Sequence, residues 1–341
     1  MNTTHPSADW FSRITGFAEG PYEATRSRLR VEEGRLVSSL GSERWGVGTL
    51  ELPSLASLRS RCAPAGAGRS TVQAIAGDVR ALHRDPRFAG ALFQVASQFN
   101  LLEMVGPEVT PEQGVTRYMH DRTQGPACAM AAGAGTIYRN YLIPVGTGFG
   151  QTRDRQVDTA AALQQQLAAE MQLLPQALWT MRNGYLLPSR ESLERIGRHL
   201  MAATEAGRDA LRSQLCIGWH RQVEVTDGDA PRPTVSQAYC SAVPVSYSGL
   251  HNAVWQPLAR LVLEAAYEAT LLAACIQRAE EGNAKVLLTR LGGGAFGNDD
   301  DWIDAAIRRA LRLTEGMGLE VWLVCYGTVD DRTRALVADG A

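Results

Sequence analysis

Long apolar runs alternate with helical patterns along most of the chain. The runs TVQAIAGDV, GALFQVASQFN and LEVWLVCYG lack the polar alternation of a strand with one wet face, so they predict strands buried on both faces. The third run is predicted to be the last strand of the sheet, and the second to end at Asn100. Two further strands are predicted in QLCIGWHRQVEV and VSQAYCSAVPVSY. Helices are predicted in ACAMAAGAGTIYRNYL, over residues 254–280, and over most of residues 154–212, with breaks near Pro175 and around NGYLLPSRES. The order of these elements predicts an α/β fold with a mostly parallel or mixed sheet between two layers of helices.

The first 65 residues show a different pattern. RLRVEEGRLVSSL and RWGVGTLELPSLASLRSR predict two or three short strands, with turns at residues 33–34 and 41–42, followed by a helical piece. The stretch APAGAGRS, residues 63–70, has the composition of a linker. We therefore predict a small mixed α/β region over residues 1–65. The main domain is predicted over residues 71–330, with a largely helical insertion at about residues 150–230.

A run of glycines stands between a predicted buried strand and a helix, in KVLLTRLGGGAFGNDDDWIDAAIRRAL, residues 285–311. In open α/β sheets, ligands bind where the carboxyl ends of strands meet helix N-termini, and backbone N–H groups there favour anions. Glycines let the backbone approach a phosphate closely because they carry no Cβ. The following Phe296 is placed to pack against a sugar or a base. The alternative interpretation is a tight turn that starts the helix with Asn298 as its N-cap, and the aspartates at 299–301 would repel a diphosphate unless they point outward.

Composition narrows the class of partner. The chain has 341 residues and a formal net charge of −2, with no dense basic run, so its charge does not favour direct nucleic-acid binding. No apolar segment is long enough to span a bilayer, and the first residues lack the layout of a signal peptide. The six cysteines are scattered without a CxxC pair, several inside apolar runs, which predicts buried reduced thiols in a cytoplasmic protein. The histidines form no cluster with cysteines or acids, so neither a metal site nor a cofactor is predicted.

Three motifs in this order resemble those of a macrodomain, the ADP-ribose-binding α/β/α fold. They are AIAGDV at the end of the first main-domain strand, LFQVASQFN at the end of the next, and GGGAFG before the late helix. In that family the aspartate of the first motif accepts from the adenine amino group, and the asparagine of the second reaches the distal ribose. The G-x-F/Y-G segment binds the diphosphate. The resemblance covers residues 71–327 with interruptions, and it implies ligand contacts from Asp78, Val79, Asn100, Gln124, Gly125, Gly292, Gly293, Gly294, Ala295, Phe296, Gly297 and Asn298.

The sequence departs from the family between the second and third motifs. The segment LLEMVGPEVTPEQGVTRYMHDRT intervenes where the family has a first glycine loop, and the nearest match to that loop is Gln124-Gly125-Pro126-Ala127. The commonest hydrolases of the family carry an aspartate directly after this loop, but Ala127 and Cys128 stand there. If the chain is a hydrolase, its carboxylate must come from another position.

The resemblance implies binding of ADP-ribose or an ADP-ribosylated substrate, and hydrolysis of an ADP-ribosyl linkage is the favoured activity. The candidate catalytic residues are Asn100, Glu103 and Asp121. Glu103 follows Asn100 closely and has apolar neighbours, which would raise its pKa toward the range useful for proton transfer. The alternatives are a solvated loop acid for Glu103 and a helix-start or loop role for Asp121. A non-catalytic module that binds ADP-ribose or another NAD metabolite stays open as the second function.

Overall fold

A computed structural model describes residues 9–62, 66 and 68–340. In this part of the chain the helices are α1 (Trp10–Thr15), α2 (Tyr22–Arg26), α3 (Leu55–Arg61), α4 (Val79–Arg84), α5 (Gln124–Ala131), α6 (Gly133–Tyr141), α7 (Ala161–Glu170), α8 (Arg190–Ala202), α9 (Glu205–Arg212), α10 (Asn252–Glu281), α11 (Asp300–Leu313) and α12 (Asp331–Gly340). The strands are β1 (Leu29–Glu32), β2 (Arg35–Ser38), β3 (Trp45–Gly46), β4 (Thr49–Glu51), β5 (Thr71–Ala76), β6 (Leu92–Ala96), β7 (Pro144–Val145), β8 (Gly148–Phe149), β9 (Thr180–Arg182), β10 (Tyr185–Leu187), β11 (Gly218–Glu224), β12 (Thr234–Cys240), β13 (Lys285–Leu288) and β14 (Glu320–Cys325). Over these residues, no helix is long and apolar enough to cross a membrane.

Seven strands form the central sheet in the order β4–β11–β12–β6–β13–β14–β5. The five strands β12, β6, β13, β14 and β5 are parallel to one another, whereas β11 is antiparallel to both β12 and β4. Parallel pairing places the carboxyl ends of β12, β6, β13, β14 and β5 along one edge of the sheet. The predicted α/β class with a mixed sheet is confirmed.

Helices cover both faces of the sheet. Along β13, Val286 and Leu288 belong to the apolar core that contains the buried faces of α10 and α11. Leu287, between them, belongs to a second core with Val79 and Leu82 of α4. Successive side chains of a strand point to opposite faces, so a continuous apolar run is what a strand buried on both sides requires. The three-layer α/β/α arrangement follows from this alternation.

The N-terminal region supplies parts of the same structure. Strands β1 and β2 form the predicted hairpin, closed by Glu33 and Gly34 with φ of 50° and 73°, and β3 pairs with β2. Strand β4 joins the edge of the central sheet, where Glu51 pairs with Trp219 of β11. The predicted linker includes residues 63–65 and 67, which lie outside the described residues. The division into a region 1–65 and a domain 71–330 stays a prediction.

The region of the predicted insertion contains the helices α7, α8 and α9. Its predicted breaks near Pro175 and around NGYLLPSRES fall at a 3₁₀ turn (Pro175–Ala177) and at the hairpin β9–β10, which turns at Asn183 and Gly184 with φ of 48° and 78°. The Asn-Gly pair is the sequence signal of such a hairpin. The strand predicted to end at Asn100 ends at Ala96, and a turn follows. Helix α11 is capped by Asp299, whose side chain accepts from the Asp301 N–H, and not by Asn298.

We predict that the folded protein loses stability at acidic pH, because two of its histidines, His83 and His220, are fully buried. Burial lowers the pKa of His83 to about 4, and burial together with the nearby Arg139 guanidinium lowers the pKa of His220 to about 3. Above the ordinary pKa of about 6.5, the histidines are neutral in both states and their contribution is complete. As the pH falls below that value, the two histidines become protonated in the unfolded chain but stay neutral in the folded chain. The free energy of unfolding therefore decreases by about 1.4 kcal/mol per pH unit for each histidine.

Urea unfolding of the wild type and of His83→Gln between pH 7 and 4.5 measures the contribution of His83. The free energy of unfolding of the wild type should fall relative to the variant as the pH decreases below about 6.5. A difference that does not change with pH would mean that His83 titrates normally in the folded protein.

Candidate functional site

A cleft opens at the carboxyl ends of β6, β12 and β13. It contains about 700 Å³ of space, part of which is open solvent. Its wall is built from the turn after β6, the start of α5, hairpin strand β10, the segment after β12 and the glycine segment after β13. The predicted residues that line it are Glu103, Asp121, Gln124, Gly125, Gly292, Gly294, Ala295 and Phe296.

The glycines of the segment after β13 serve different purposes. Gly292 and Gly297 have φ of 74° and 67°, and a Cβ on them would collide with Ala242 and Ser246, respectively. A backbone bond from the Gly297 N–H to the Gly294 carbonyl, 3.0 Å long, closes the turn. Gly294 has no other atom within 4 Å of the place where its Cβ would lie. Two glycines are therefore required by the turn itself, and Gly294 presents bare backbone to the cleft.

The aspartates after the glycine segment are paired. Asp300 accepts from Arg290 Nη2 at 2.6 Å, and Asp304 accepts from Arg290 Nη1 at 2.7 Å. Asp301 accepts from Arg332 at 2.7 Å. The acids thus point along α11 and not into the cleft, as a diphosphate site requires. Arg290 also lines the cleft, and its guanidinium is neutralised by the Asp300 and Asp304 carboxylates. Sequence reasoning missed Arg290, because only its carboxylate partners fix the position of its side chain.

Three aromatic rings lie together in the cleft. The ring centroid of Phe296 is 5.4 Å from that of Tyr185 and 5.7 Å from that of Tyr247, and the two tyrosines are 5.2 Å apart. The Tyr185 hydroxyl donates to the Met104 carbonyl at 2.6 Å, which fixes its ring. Such a group offers flat apolar surface to a sugar or a base. Sequence reasoning missed Tyr185 together with its hairpin.

Glu103 is a buried acid in the cleft wall. The residue is 4% exposed, and its Oε1 has no hydrogen-bond partner among the described residues. A Cβ on Gly125, at the start of α5, would collide with this carboxylate and with the Ala96 carbonyl, so the bare glycine makes room for the acid. Burial raises the pKa of the Glu103 carboxyl well above its ordinary value, the Arg139 guanidinium opposes the shift, and the Asp121 carboxylate adds to it. The predicted raised pKa is confirmed in direction, and a solvated loop acid is the wrong interpretation.

Two other predicted residues stand near the start of α5. Asp121 lines the cleft, and its Oδ1 accepts from the Thr123 N–H at 2.8 Å, so part of its role is to shape the turn before the helix. The Gln124 side chain donates to the Gln94 carbonyl and accepts from the Ala96 N–H, both at 3.1 Å. Gln124 therefore joins the first turn of α5 to the backbone of β6 and fixes the position of the helix N-terminus relative to the sheet.

Asn100 is fully buried but is not among the residues that line the cleft. Its Nδ2 donates to Gln156 Oε1 at 2.8 Å, and its Oδ1 accepts from the Leu102 N–H at 3.1 Å. These bonds hold the turn from which Glu103 projects. The predicted contact between Asn100 and a ribose stays a prediction.

The first motif lies at the far end of the same sheet edge. Asp78 is exposed and caps α4 by accepting from the Arg80 N–H at 2.7 Å, whereas Val79, the first residue of that helix, is buried. Strands β13 and β14 separate it from β6, so Asp78 and Val79 lie outside the cleft wall. Tyr326, 88% exposed, directly follows β14, whose Cys325 pairs with Ala76. An exposed carboxylate and an exposed ring thus end two adjacent strands.

The cysteines and acids form no obvious metal centre. Over the residues that the structure covers, no group of three or more histidine, cysteine or acidic side chains is placed to hold a metal ion. Four cysteines, Cys128, Cys240, Cys275 and Cys325, are buried as predicted, and Cys62 and Cys216 are partly buried.

No family model matches the sequence, and no curated protein matches it. Among solved structures, the chain is similar to poly(ADP-ribose) glycohydrolase from Thermomonospora curvata, with 14% identity and a TM-score of 0.44 over 94% of this chain and 96% of that one. It is also similar to poly(ADP-ribose) glycohydrolase from Deinococcus radiodurans in complex with ADP-ribose, with 12% identity and a TM-score of 0.43 over 85% and 92% of the two chains. At TM-scores below 0.5, these likenesses assign neither an activity nor a site residue to this chain.

Proposed function

We propose that this chain is a macrodomain-like hydrolase, which binds ADP-ribose and cleaves an ADP-ribosyl linkage on a protein, a nucleic acid or a small molecule. The observation that carries the proposal is the placement of Glu103. A buried carboxyl with an unpartnered oxygen faces a cleft whose wall also contains an open glycine segment. A buried acid that serves only the fold would have its oxygens paired.

The binding half of the proposal uses the whole sheet edge. The diphosphate lies against the backbone at Gly294 and Ala295. The distal ribose packs on Phe296 and the two tyrosines beside it. The adenine extends toward Asp78, whose carboxylate accepts from the amino group.

The chemical half uses the neutral form of Glu103. As the bond between the anomeric carbon and the leaving atom breaks, that atom takes the Glu103 proton. The resulting carboxylate then takes a proton from the water whose oxygen bonds to the anomeric carbon, which restores the acid. A carboxyl with a raised pKa suits both steps near neutral pH. Asp121, near Glu103 on the same wall, helps to keep it protonated.

A binding module without activity is the second candidate. It is favoured by one observation, the absence of an acid from the first turn of α5. Calorimetric titration with ADP-ribose tests the binding that both candidates share. An assay for ADP-ribose release from ADP-ribosylated protein and nucleic acid then separates them, because only the hydrolase releases product.

Replacing Asp78 by alanine should weaken ADP-ribose binding by about 1–3 kcal/mol, the range for a lost hydrogen bond to a charged group. Ribose 5-phosphate, which has no adenine, should lose much less affinity in the same calorimetric titration. Asp78 also caps α4, so the alanine variant should lose about 0.5–2 kcal/mol of unfolding free energy.

Asp78→Asn is the matched control for that loss, because asparagine caps a helix as well as aspartate does. It should restore stability and keep part of the affinity through its amide oxygen. Equal losses of affinity for both ligands in Asp78→Ala would show that Asp78 only supports α4.

A further inference from the structure

Arg139 of α6 is a buried cation whose direct partners are all neutral. It is 1% exposed, and none of the ion pairs in the described part of the chain includes it. Its Nε donates to the Leu101 carbonyl at 3.2 Å, and its Nη2 donates to Thr136 Oγ1 at 2.9 Å. The guanidinium carbon lies 3.8 Å from the centroid of the Tyr239 ring.

The remaining partner of Arg139 is neutral as well. Its Nη1 lies 3.0 Å from His220 Nδ1, and His220 Nε2 lies 2.5 Å from the Val47 carbonyl. A carbonyl only accepts, so Nε2 carries the proton of the ring. His220 Nδ1 is then a lone-pair acceptor for the arginine, and the imidazole is uncharged. Arg139 therefore needs a counter-charge that its immediate contacts do not supply, because an uncompensated buried ion is costly.

Glu103 is a buried acid on the turn after β6, the turn whose Leu101 carbonyl Arg139 contacts. The Arg139 Nε bond fixes the Leu101 carbonyl, two residues before Glu103, and Leu101 adopts a left-handed backbone with φ of 64°. Within the described residues, the Arg139 guanidinium lowers the pKa of the Glu103 carboxyl and the Asp121 carboxylate raises it, and the charge of Glu103 acts in turn on Tyr118, Cys128, Tyr185 and Tyr239. Among the residues that the structure describes, the cation and the acid thus each lack a direct charged partner, and the guanidinium is bonded to the backbone two residues before the acid.

We propose that Arg139 is a positioning residue that acts as the buried counter-charge of Glu103 and holds the turn that aims its carboxyl into the cleft. Removing Arg139 leaves Glu103 protonated to a higher pH and removes the bond that holds the Leu101 carbonyl, whereas the Glu103 N–H keeps its bond to the Tyr118 hydroxyl. The catalytic meaning of this pair rests on the proposed function, whereas the electrostatic coupling itself does not.

Carbon-13 NMR of glutamate-labelled protein tests the coupling without any substrate. The Glu103 carboxyl signal is assigned by its absence in Glu103→Gln, and its titration midpoint is compared between the wild type, Arg139→Lys and Arg139→Gln. The midpoint should rise in that order, by about one pH unit or more in Arg139→Gln, as expected for the loss of an opposite charge nearby. Lysine keeps the charge but cannot engage all the acceptors of the guanidinium, so its midpoint lies between the other two.

Arg212→Gln is the matched control, because Arg212 is also buried, at 4% exposure, but pairs with acids of α9 and α10. It should leave the Glu103 midpoint unchanged. If Arg139→Gln does not fold, Arg139→Lys decides the question by itself. Equal Glu103 midpoints in the wild type and in a folded Arg139 variant would overturn the proposal.

Kinetics distinguish this proposal from the proposed function. In Arg139→Lys, kcat for ADP-ribose release should fall while KM stays near that of the wild type, and the pH at which activity is half lost should move with the NMR midpoint. A wild type that releases no ADP-ribose while the midpoints still shift would refute the hydrolase and leave the charge pair standing. Activity with an unshifted midpoint would do the reverse.

Discussion

Replacing Gly294 by glutamate should abolish ADP-ribose binding and leave the protein folded. The place of its Cβ is empty to 4 Å, and Gly294 is not among the glycines with positive φ, so a side chain is tolerated there by the fold. The new side chain would extend into the cleft beside the backbone that we assign to the diphosphate. It would bring a negative charge where two phosphates are expected, and like charges at close range oppose binding. Calorimetric titration should then detect no heat of binding at ligand concentrations that saturate the wild type.

Two variants separate the loss of the ligand from the loss of the fold. Gly294→Ala adds only a methyl group in open space, so most of the affinity should remain. Gly297→Ala instead forces a Cβ into Ser246 from a left-handed backbone, so it should lower the free energy of unfolding. The diphosphate site is in the wrong place if a folded Gly294→Glu protein binds ADP-ribose with unchanged affinity.

Glu103→Gln should keep ADP-ribose binding and lose most turnover, by about 100- to 10,000-fold, as is typical when a general acid–base group is removed. Glutamine has nearly the same shape and is neutral, which is the form that burial favours at this position. The cleft should therefore keep its geometry while the transferable proton is lost. Steady-state release of ADP-ribose, with calorimetry on the same preparation, measures both quantities.

The same substitution has a stability signature whose sign follows from the raised pKa of Glu103. In the wild type, the contribution of the neutral carboxyl is complete below the pKa of the unfolded chain, and it is lost as the pH rises through the folded pKa. Glu103→Gln cannot ionise, so it should become more stable than the wild type as the pH increases. If Glu103→Gln shows no such gain in stability, the Glu103 carboxyl of the wild type is in contact with water.

Glu108→Gln is the control for position, since Glu108 is an exposed acid nearby in sequence that pairs with Arg182. Its turnover should equal that of the wild type. If Glu103→Gln turns over normally, or if the wild type releases no ADP-ribose from any ADP-ribosylated substrate, the catalytic assignment must be given up. Binding without activity would then describe the protein.

Local sequence pattern was sufficient for the sheet and for part of the site. The apolar runs that became β6 and β13 could be recognised because a strand buried on both faces needs no polar alternation. The same prediction is wrong for β5, an edge strand of the sheet in which Thr71, Gln73 and Ala76 are exposed. The desolvation of Glu103 could be predicted because its neighbours Leu102 and Met104 are apolar, and both are buried. Each of these conclusions depends on residues that are adjacent in the chain.

What was missed depends on residues that are far apart in the chain. The Arg290 side chain is held by carboxylates 10 and 14 residues later, and Tyr185 reaches the cleft through a hairpin where the sequence predicted only a break between helices. Arg139 gains its meaning from Leu101 and from His220, which is 81 residues away. Hydrophobic periodicity cannot predict such contacts, because only the tertiary structure brings these residues together.

The bond between the Val47 carbonyl and His220 joins the N-terminal region to the central sheet. A truncated protein that starts after residue 62 would lose the acceptor that locks the imidazole tautomer, and Nδ1 could then take the proton and repel Arg139. The same truncation would strip β4 from the sheet and leave β11 as an open edge, a template for self-association. A loss of activity in such a shortened protein would therefore be explained by the changed tautomer of His220 and the exposed edge of β11, and would not show that a substrate-binding domain had been removed.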